Sequence, residues 1–200
     1  WVPVLLAAVL ILMMFTWKKG RSLVLARQQH DAMPVAAFMA RLPHSRSIIR
    51  VPGTRVFMTA KPEFIPTSLL HNLKHNKVLH EHVILLTVKN LDLPQVMTDQ
   101  RAEVAEVAPN IYRVTLRYGF MEMPNVPSAL WQLQFESTGF DVSQASYFVS
   151  RELLVRSQPS HISRWRMALF LLMTKNATPI TDFLRIPLDR VVELGVRIGI

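Results

Sequence analysis

The chain has 200 residues, of which 50% are hydrophobic, so it is long and apolar enough for one folded domain with an appendage. This composition argues against a disordered protein. The formal net charge of +9 is typical of a protein held near an acidic surface, either anionic lipid or nucleic acid, and the absence of cysteine excludes disulfides and Cys-containing zinc sites.

The first segment is apolar and ends at a basic cluster. Trp1 to Phe15 contain no charged side chain. An aromatic anchor and three cations follow, at Trp17, Lys18, Lys19 and Arg21. Positive charge directly after an apolar run is typical of the cytoplasmic end of a transmembrane helix. We therefore interpret residues 1–17 as the end of a last transmembrane helix. Because a complete span needs about 20 apolar residues, we expect it to begin upstream.

Two other interpretations of this apolar segment are a signal peptide and a buried core helix. A signal peptide carries its charges before the apolar run, whereas here they follow it. A buried core helix stays open as the stronger alternative, although the one-sided Lys/Arg cluster argues against it.

Residues 18–46 are predicted to form a juxtamembrane amphipathic connector. Apolar residues such as Leu23 and Phe38 are interspersed with charged ones such as Arg27, and Pro34 is expected to interrupt the helical pattern. A basic amphipathic segment of this kind either lies along the membrane surface or packs on a soluble domain. The sequence leaves both placements open.

Residues 47–200 are predicted to form a cytoplasmic C-terminal α/β domain. The runs Thr54–Thr59 and Val83–Val88 are typical of strands, and the second, VILLTV, is apolar throughout except for one threonine. Such a run indicates a strand that is buried on both faces. Thr67–Lys77 between them is predicted to be a helix. Strand, helix and strand in this order favour a parallel βαβ unit.

The second half of the domain continues the mixed pattern. Its predicted elements are a hairpin of Ala102–Val107 and Ile111–Tyr118 joined through Pro109-Asn110, a helix at Val126–Gln134, a strand at Ala145–Val149, a helix at His161–Asn176 and a closing strand at Arg190–Val196. In the helix of residues 161–176 the apolar face is predicted to hold Ile162, Trp165, Leu169 and Met173. The fold class is thus α/β, with a mixed central sheet covered by helices.

Two histidines have a spacing that is typical of metal ligands on a helix. His71 and His75 are four residues apart on a predicted helix, so their imidazoles share one face. No HExxH spacing occurs, and Lys74 and Lys77 would repel a divalent cation. We interpret the segment as a polar helix end whose Asn and His side chains bind loop carbonyls. No metal site is predicted.

No catalytic set stands out in the sequence. Neither GxGxxG, GxxxxGK[ST] nor GxSxG occurs, which argues against a phosphate-binding loop and a serine hydrolase. Nucleic-acid binding is an alternative explanation for the arginines near Trp165, which are Arg151, Arg156, Arg164 and Arg166. No recognised nucleic-acid motif accompanies them, and attraction to an anionic membrane explains the same charge more simply. No nucleic-acid partner is predicted.

Several segments together form a multi-part pattern. The most characteristic is LLHNLKHNKVLH at Leu69–His80, which Glu81 and VILLTV follow. The others are RVPGTRVF (Arg50–Phe57), YRVTLRYGFME (Tyr112–Glu122), NVPSAL (Asn125–Leu130), SYFVSRE (Ser146–Glu152), KNA (Lys175–Ala177) and RIPLDRVVELG (Arg185–Gly195). This pattern resembles the cytoplasmic C-terminal region of the KUP/HAK/KT potassium transporter family. The apolar start and Trp17–Gly20 resemble the family's last span and its exit, so the resemblance covers nearly the whole chain.

The resemblance implies a function for the parent protein. Members of the family are multi-pass importers of potassium in the bacterial inner membrane, coupled to protons and dimeric, and they are secondary transporters rather than enzymes. Their C-terminal domain is similar to universal-stress-protein-like α/β domains. In some relatives it binds the regulatory nucleotide cyclic di-AMP, which lowers transport. The potassium and proton sites of the family lie in the upstream membrane core, so no residue of this chain is expected to bind the transported ions.

A regulatory and dimerising role of the C-terminal domain is the leading hypothesis. An anionic ligand would be held through charge-assisted bonds, and Arg113, Arg117 and Arg151 are the candidate contacts. Two other classes stay open. A purely structural assembly domain would bind no ligand, and a membrane-anchored nucleotide-binding enzyme would need an acid, base or nucleophile set that the sequence does not reveal.

Overall fold

The computed structural model describes residues 1–30, 33–42, 48–133, 141–155, 163–178 and 180–199. Its contacts divide the chain into two compact units. Unit 1 contains residues 1–31, 152–178 and 195–200, and unit 2 contains residues 32–151 and 179–194. The predicted domain of residues 47–200 therefore contributes to both units.

Six helices and six strands lie within the described residues. The helices are α1 (Val2–His30), α2 (Val35–Arg41), α3 (Thr67–Asn76), α4 (Val126–Gln132), α5 (Arg164–Lys175) and α6 (Ile180–Phe183). The strands are β1 (Ile49–Met58), β2 (Val78–Leu91), β3 (Ala102–Ala108), β4 (Ile111–Gly119), β5 (Ser146–Val155) and β6 (Val191–Gly199). Short 3-10 turns occupy Thr98–Gln100 and Leu188–Arg190.

The strands form one sheet in the order β3-β4-β2-β1-β5-β6. β1 pairs in parallel with β2 and β5, and β2 pairs in parallel with β4, whereas β3 and β4 are antiparallel. The predicted βαβ unit and the predicted hairpin are both confirmed. The mixed α/β fold class is confirmed as well.

Backbone conformation explains two of the tight connections. α3 ends where Lys77 adopts the left-handed conformation, with φ of 55°, and its N–H donates to the carbonyl of Leu73. The chain can therefore turn straight into β2. Asn110, with φ of 64°, closes the hairpin between β3 and β4, and asparagine tolerates this conformation better than most residues.

The sheet of unit 2 is covered on both faces. One apolar cluster joins Ile84 and Leu86 of β2 to Leu130 of α4. The other joins Val83 and Leu85 of the same strand to side chains of α2 and α3. Successive side chains of a strand point to opposite faces, so Ile84 and Leu86 are buried on one face of the sheet, and Val83 and Leu85 are buried on the other. This arrangement confirms the predicted doubly buried strand.

Some predicted bounds differ from the observed ones. β1 begins at Ile49 rather than Thr54, and β2 covers 14 residues rather than the six of VILLTV. Strand pairing extends past the apolar runs because ladder hydrogen bonds do not require apolar side chains. Gln134, His161 and Ile162, which were included in predicted helices, lie outside the described residues.

The predicted apolar face of α5 is wrong. Met167 and Phe170 are buried, whereas Trp165 of the predicted face is 56% exposed. Met167 and Phe170 are buried because they pack with Val24 of α1. Periodicity alone could not identify the packed side, since α5 carries apolar residues around most of its circumference.

α1 continues without interruption past Trp17 to His30. Residues 18–30 of the predicted connector therefore belong to the same helix as the apolar segment. The predicted interruption at Pro34 is confirmed, because Pro34 is extended, with φ of −61° and ψ of 142°, and α2 begins at the next residue. Residues 31–32 and 43–46 of the connector lie outside the described residues.

Candidate functional site

The first functional element is the apolar helix α1. Its stretch Val2–Arg27 is long and apolar enough to cross a membrane, and only 6% of its most apolar window is buried. Large apolar side chains such as Leu5, Leu6 and Ile11 are more than half exposed. A helix in the core of a water-soluble protein would be buried, so this exposure argues against the core-helix alternative.

Within unit 1, α5 packs on the end of α1. Thr16, Gly20 and Val24 are spaced by four residues and are buried. Phe170 lies directly on Gly20, where any added Cβ would overlap the phenyl ring. A glycine here allows the close approach of the two helices. The Phe170 ring also lies 5.7 Å from the ring of Trp17, measured between centroids.

The structure places the three predicted anion contacts apart. Arg113 and Arg117 lie on β4 and Arg151 lies on β5, with β2 and β1 between the two strands. Neighbouring strands are about 4.8 Å apart, so Arg151 is separated from the other two by about 14 Å. Arg117 forms an ion pair with Glu103, and Arg151 Nη1 lies 3.0 Å from Glu193 Oε2. The three arginines therefore do not surround a common point, and ligand binding by them stays a prediction.

A different charged pair is built into unit 2 at the end of β4. Arg101 Nη2 lies 2.5 Å from Glu122 Oε1 and also donates to the carbonyl of Val96. The other carboxylate oxygen, Oε2, accepts from the N–H groups of Gly119 and Val96, at 2.7 and 3.2 Å. The guanidinium carbon of Arg101 lies 5.2 Å from the centre of the Tyr118 ring. The Glu122 carboxylate thus joins the end of β4 to Val96 and to Arg101.

The electrostatic environment of this pair follows from its hydrogen bonds. The Gly119 N–H, together with Arg101 and the Val96 N–H, lowers the pKa of Glu122, while burial acts in the opposite direction. Burial raises the pKa of Tyr118. Glu122 is therefore an anion and Tyr118 a neutral phenol near neutral pH. Arg101 and Glu122 are therefore suited to a structural role rather than to proton transfer. We call this pair, with the N–H groups of Val96 and Gly119, the clamp.

Backbone hydrogen bonds extend the clamp. The N–H groups of Phe120 and Met121 donate to the carbonyls of Leu93 and Pro94, at 2.9 and 3.2 Å. Gly119 lies so close to the Pro94 carbonyl that a side chain would overlap it. The loop after β2 is thereby tied to the loop after β4. Sequence reasoning missed this clamp, because Glu122 and Arg101 are 21 residues apart and their pairing leaves no local signal.

A small pocket adjoins the clamp. It has a volume of about 90 Å³, and Arg101, Leu116, Ala129 and Gln132 are among the residues that line it. Ligand pockets for drug-sized molecules commonly measure about 300–1,000 Å³. This pocket is therefore too small to enclose a nucleotide.

Binding of loop carbonyls by the histidines stays a prediction, whereas the polar end of the predicted helix is seen at Asn72. Its side-chain amide donates to the carbonyl of Val78 at 2.9 Å and joins the end of α3 to β2. The rings of His71 and His75 lie 5.7 Å apart. Within the described ranges, no group of three or more His, Cys, Asp or Glu side chains is placed to hold a metal ion. Burial and the Arg55 charge lower the pKa of His80 to about 4, so it is neutral near pH 7.

Comparison with known proteins identifies the family. Residues 52–200 match the K+ potassium transporter C-terminal domain. The whole chain is 58% identical to the "Probable potassium transport system protein Kup" of Gluconobacter oxydans (strain 621H), of which it covers 30%. It is 51% identical, over its full length, to the protein of the same name from Acidiphilium cryptum (strain JF-5), of which it covers 32%.

More distant relatives agree with this match. The Kup protein of Acinetobacter baylyi is 40% identical over 201 residues, again covering all of this chain and 32% of the relative. The chain thus spans about a third of the length of these relatives. No solved structure matches, so the likeness to universal-stress-type domains stays a prediction. Because the family match covers most of the chain, the resemblance seen in the sequence is confirmed, and the chain belongs to the K+ potassium transporter C-terminal domain family.

Proposed function

We propose that this chain is the C-terminal region of a potassium uptake transporter of the bacterial inner membrane. The observation that carries the proposal is the family match over residues 52–200, next to a helix, α1, whose apolar surface is exposed. The printed names of the relatives describe potassium transport. α1 then is the last transmembrane helix, and the sheet domain lies in the cytoplasm.

The orientation follows from charge. Lys18, Lys19 and Arg21 come directly after the apolar stretch of α1. Basic residues flanking a span are retained on the cytoplasmic side. The C-terminal end of α1 therefore faces the cytoplasm. The parent protein is then a secondary transporter, a symporter of potassium and protons, whose ion sites lie upstream of this chain.

The domain is proposed to regulate transport as a homodimer. A ligand that binds one arrangement of the dimer more tightly biases the transporter toward the conformation coupled to it, by no more than its differential affinity. Cyclic di-AMP is the proposed ligand. Arg113 is the strongest of the three candidate contacts, because Arg117 and Arg151 are each engaged by a glutamate.

Complementation of potassium uptake tests the function. The full-length protein is expressed in cells that lack their own potassium importers, beside a version that ends after His30, where α1 ends. Truncation at a point within α1 would shorten the helix that we propose to span the membrane. We expect growth at low potassium with the full-length protein. A well-expressed, membrane-inserted protein that restores no uptake contradicts the transporter function.

The shortened version separates two roles of the domain. Transport that persists, without regulation, identifies the domain as a regulator. Loss of transport in a protein that is inserted at the same level assigns the domain to the transport machinery and contradicts a purely regulatory role.

A further inference from the structure

α1 and α5 of unit 1 run parallel to each other. Arg166 Nε lies 3.4 Å from Thr16 Oγ1, and Phe170, four residues further along α5, lies on Gly20, four residues further along α1. Each residue of α5 therefore lies at about the level of the α1 residue that is 150 positions earlier in the sequence. The first turn of α5 thus lies at the level of Phe15, where the uncharged stretch of α1 ends.

Four cationic side chains lie in a narrow layer at this level. Lys18 and Lys19 follow the uncharged stretch of α1, and Arg164 and Arg166 belong to the first turn of α5. They cover the levels of residues 14–19 of α1, which is about 8 Å along the helices at a rise of about 1.5 Å per residue. A bilayer is about 40–45 Å thick with its headgroups and about 30 Å without them, so one headgroup layer measures about 5–8 Å. The layer of cations therefore matches one headgroup layer in depth.

The charge of the two helices is entirely positive. α1 and α5 contain no acidic residue that would neutralise these four cations. Lys18, Lys19 and Arg164 are exposed, and Arg166 is partly exposed. Unit 1 contains nine Lys or Arg residues and two Asp or Glu residues, a net charge of +7, whereas unit 2 contains fourteen and twelve, a net charge of +2. Such a local excess of cations is complementary to the phosphate groups of anionic lipid.

Two tryptophans lie at the same level as the cations. Trp17 follows the uncharged stretch of α1, and Trp165, in the first turn of α5, is 56% exposed. Tryptophan is enriched at the membrane–water interface, because its ring is apolar and its N–H is polar. Leu172 and the rest of α5 lie at the level of Ser22 and beyond, past the basic cluster. Only the first turn of α5 therefore reaches the level of the interface.

We propose that the end of the uncharged stretch of α1 and the first turn of α5 together bind the headgroups of anionic phospholipids. Lys18, Lys19, Arg164 and Arg166 bind the lipid phosphates through charge-assisted hydrogen bonds, and Trp165 lies among the headgroups. The inference rests on the proposed placement of α1 in the membrane and adds anionic lipid as a partner. Since the site combines two helices that are more than 130 residues apart in the sequence, bound lipid stabilises the packing of α5 on α1.

Native mass spectrometry of the full-length protein tests the site. The protein in detergent is equilibrated with equal amounts of phosphatidylglycerol and phosphatidylcholine, and the lipid molecules that stay bound are counted. The double variant Lys19→Gln/Arg164→Gln removes one cation of the site from each helix. Lys89→Gln/Lys175→Gln is the matched control, because it removes the same charge from two exposed positions, on β2 and at the far end of α5.

We expect the wild type to retain several-fold more phosphatidylglycerol than phosphatidylcholine. The site variant should retain at least one phosphatidylglycerol molecule fewer, and the control variant should retain as many as the wild type. Equal retention of the two lipids by the wild type overturns the inference. Equal losses in the two variants overturn it as well, because they would reflect overall charge. Displacement of the lipid by millimolar inorganic phosphate would assign the cations to a free anion instead.

Spin labelling separates failure of the lipid site from failure of the proposed span. The chain contains no cysteine, so Leu6→Cys and Leu172→Cys each report on one position in a cysteine-free full-length protein. In vesicles, collision of the label with oxygen, which partitions into lipid, is compared with collision with a water-soluble nickel chelate. We expect a high oxygen-to-nickel ratio at Leu6 and a low one at Leu172. A low ratio at Leu6 refutes the span, and a high ratio at Leu172 refutes the level assigned to α5. A high ratio at Leu6 without a preference for phosphatidylglycerol refutes the lipid site alone.

Discussion

At the residue scale, Glu122 shows how one side chain can hold the irregular end of a sheet. Loops lack the regular pairing of strands, so their backbone N–H groups need other acceptors. The Glu122 carboxylate accepts from the N–H of Val96 in a loop, from that of Gly119 at the end of β4, and from Arg101. Its side chain is only 15% exposed, which strengthens these bonds relative to those of an ion pair in water.

Glu122→Gln is expected to lower the free energy of unfolding by about 1–3 kcal/mol, because the neutral amide loses the charge-assisted bond to Arg101 and presents an NH₂ group toward donors. Thermal unfolding of the purified protein measures the loss. Glu103→Gln is the matched control, since the Glu103–Arg117 pair is more exposed and such pairs contribute about 0–1 kcal/mol. Equal losses in the two variants would contradict the clamp.

The pKa of Glu122 gives this prediction a pH dependence. Since the folded state lowers that pKa, the unfolded state binds the proton more tightly, and the stabilisation is present above the unfolded pKa of about 4.3. It is lost as the pH falls through the lower, folded pKa. The difference between wild type and Glu122→Gln should therefore be constant near neutral pH and shrink in acid.

At the element scale, patterns that are local in the sequence were predicted well. The βαβ unit of β1, α3 and β2 follows from two apolar runs on either side of a helical pattern, and the hairpin of β3 and β4 follows from two β-rich runs joined through Pro109-Asn110. Features that depend on partners far away in the sequence were not predicted. The packed face of α5 is set by Val24 of α1, some 140 residues earlier, and the Arg101–Glu122 clamp joins separate loops. Strand order likewise depends on non-local pairing.

Gly20→Ala tests the packing of α5 on α1. An added methyl group would overlap the Phe170 ring, which is fully buried. Overpacking costs about 1–3 kcal/mol, against a gain of up to about 1 kcal/mol in helix propensity. We expect a net loss of up to about 2 kcal/mol, seen as faster amide hydrogen exchange in α5 of the reconstituted protein.

Two variants control this experiment. Ser22→Ala changes an exposed residue of the same helix and should leave the exchange of α5 unchanged. Phe170→Ala removes the ring, so adding Gly20→Ala to it should cause little further loss. If Gly20→Ala accelerates exchange as much in the Phe170→Ala background as in the wild type, the two residues are not in contact.

At the scale of the whole molecule, the two units differ in charge, which bears on where an anionic ligand would bind. The positive charge is concentrated in unit 1, with the apolar helix, whereas unit 2 is nearly balanced. Arg113, which lies opposite Ala105 in the β3–β4 ladder, is the side chain of unit 2 that we propose to bind an anion.

Binding of cyclic di-AMP to the full-length protein distinguishes a regulator from a structural domain. At 100 times its dissociation constant, a ligand that binds only the folded state stabilises it by about 2.7 kcal/mol. We expect a rise in the thermal unfolding temperature that Arg113→Gln removes and Arg117→Gln, whose arginine is already paired with Glu103, only weakens. A rise that both variants retain places the nucleotide elsewhere. No rise at any concentration favours a domain that assembles the transporter without a ligand, because a regulator must bind its effector with different affinity in two states.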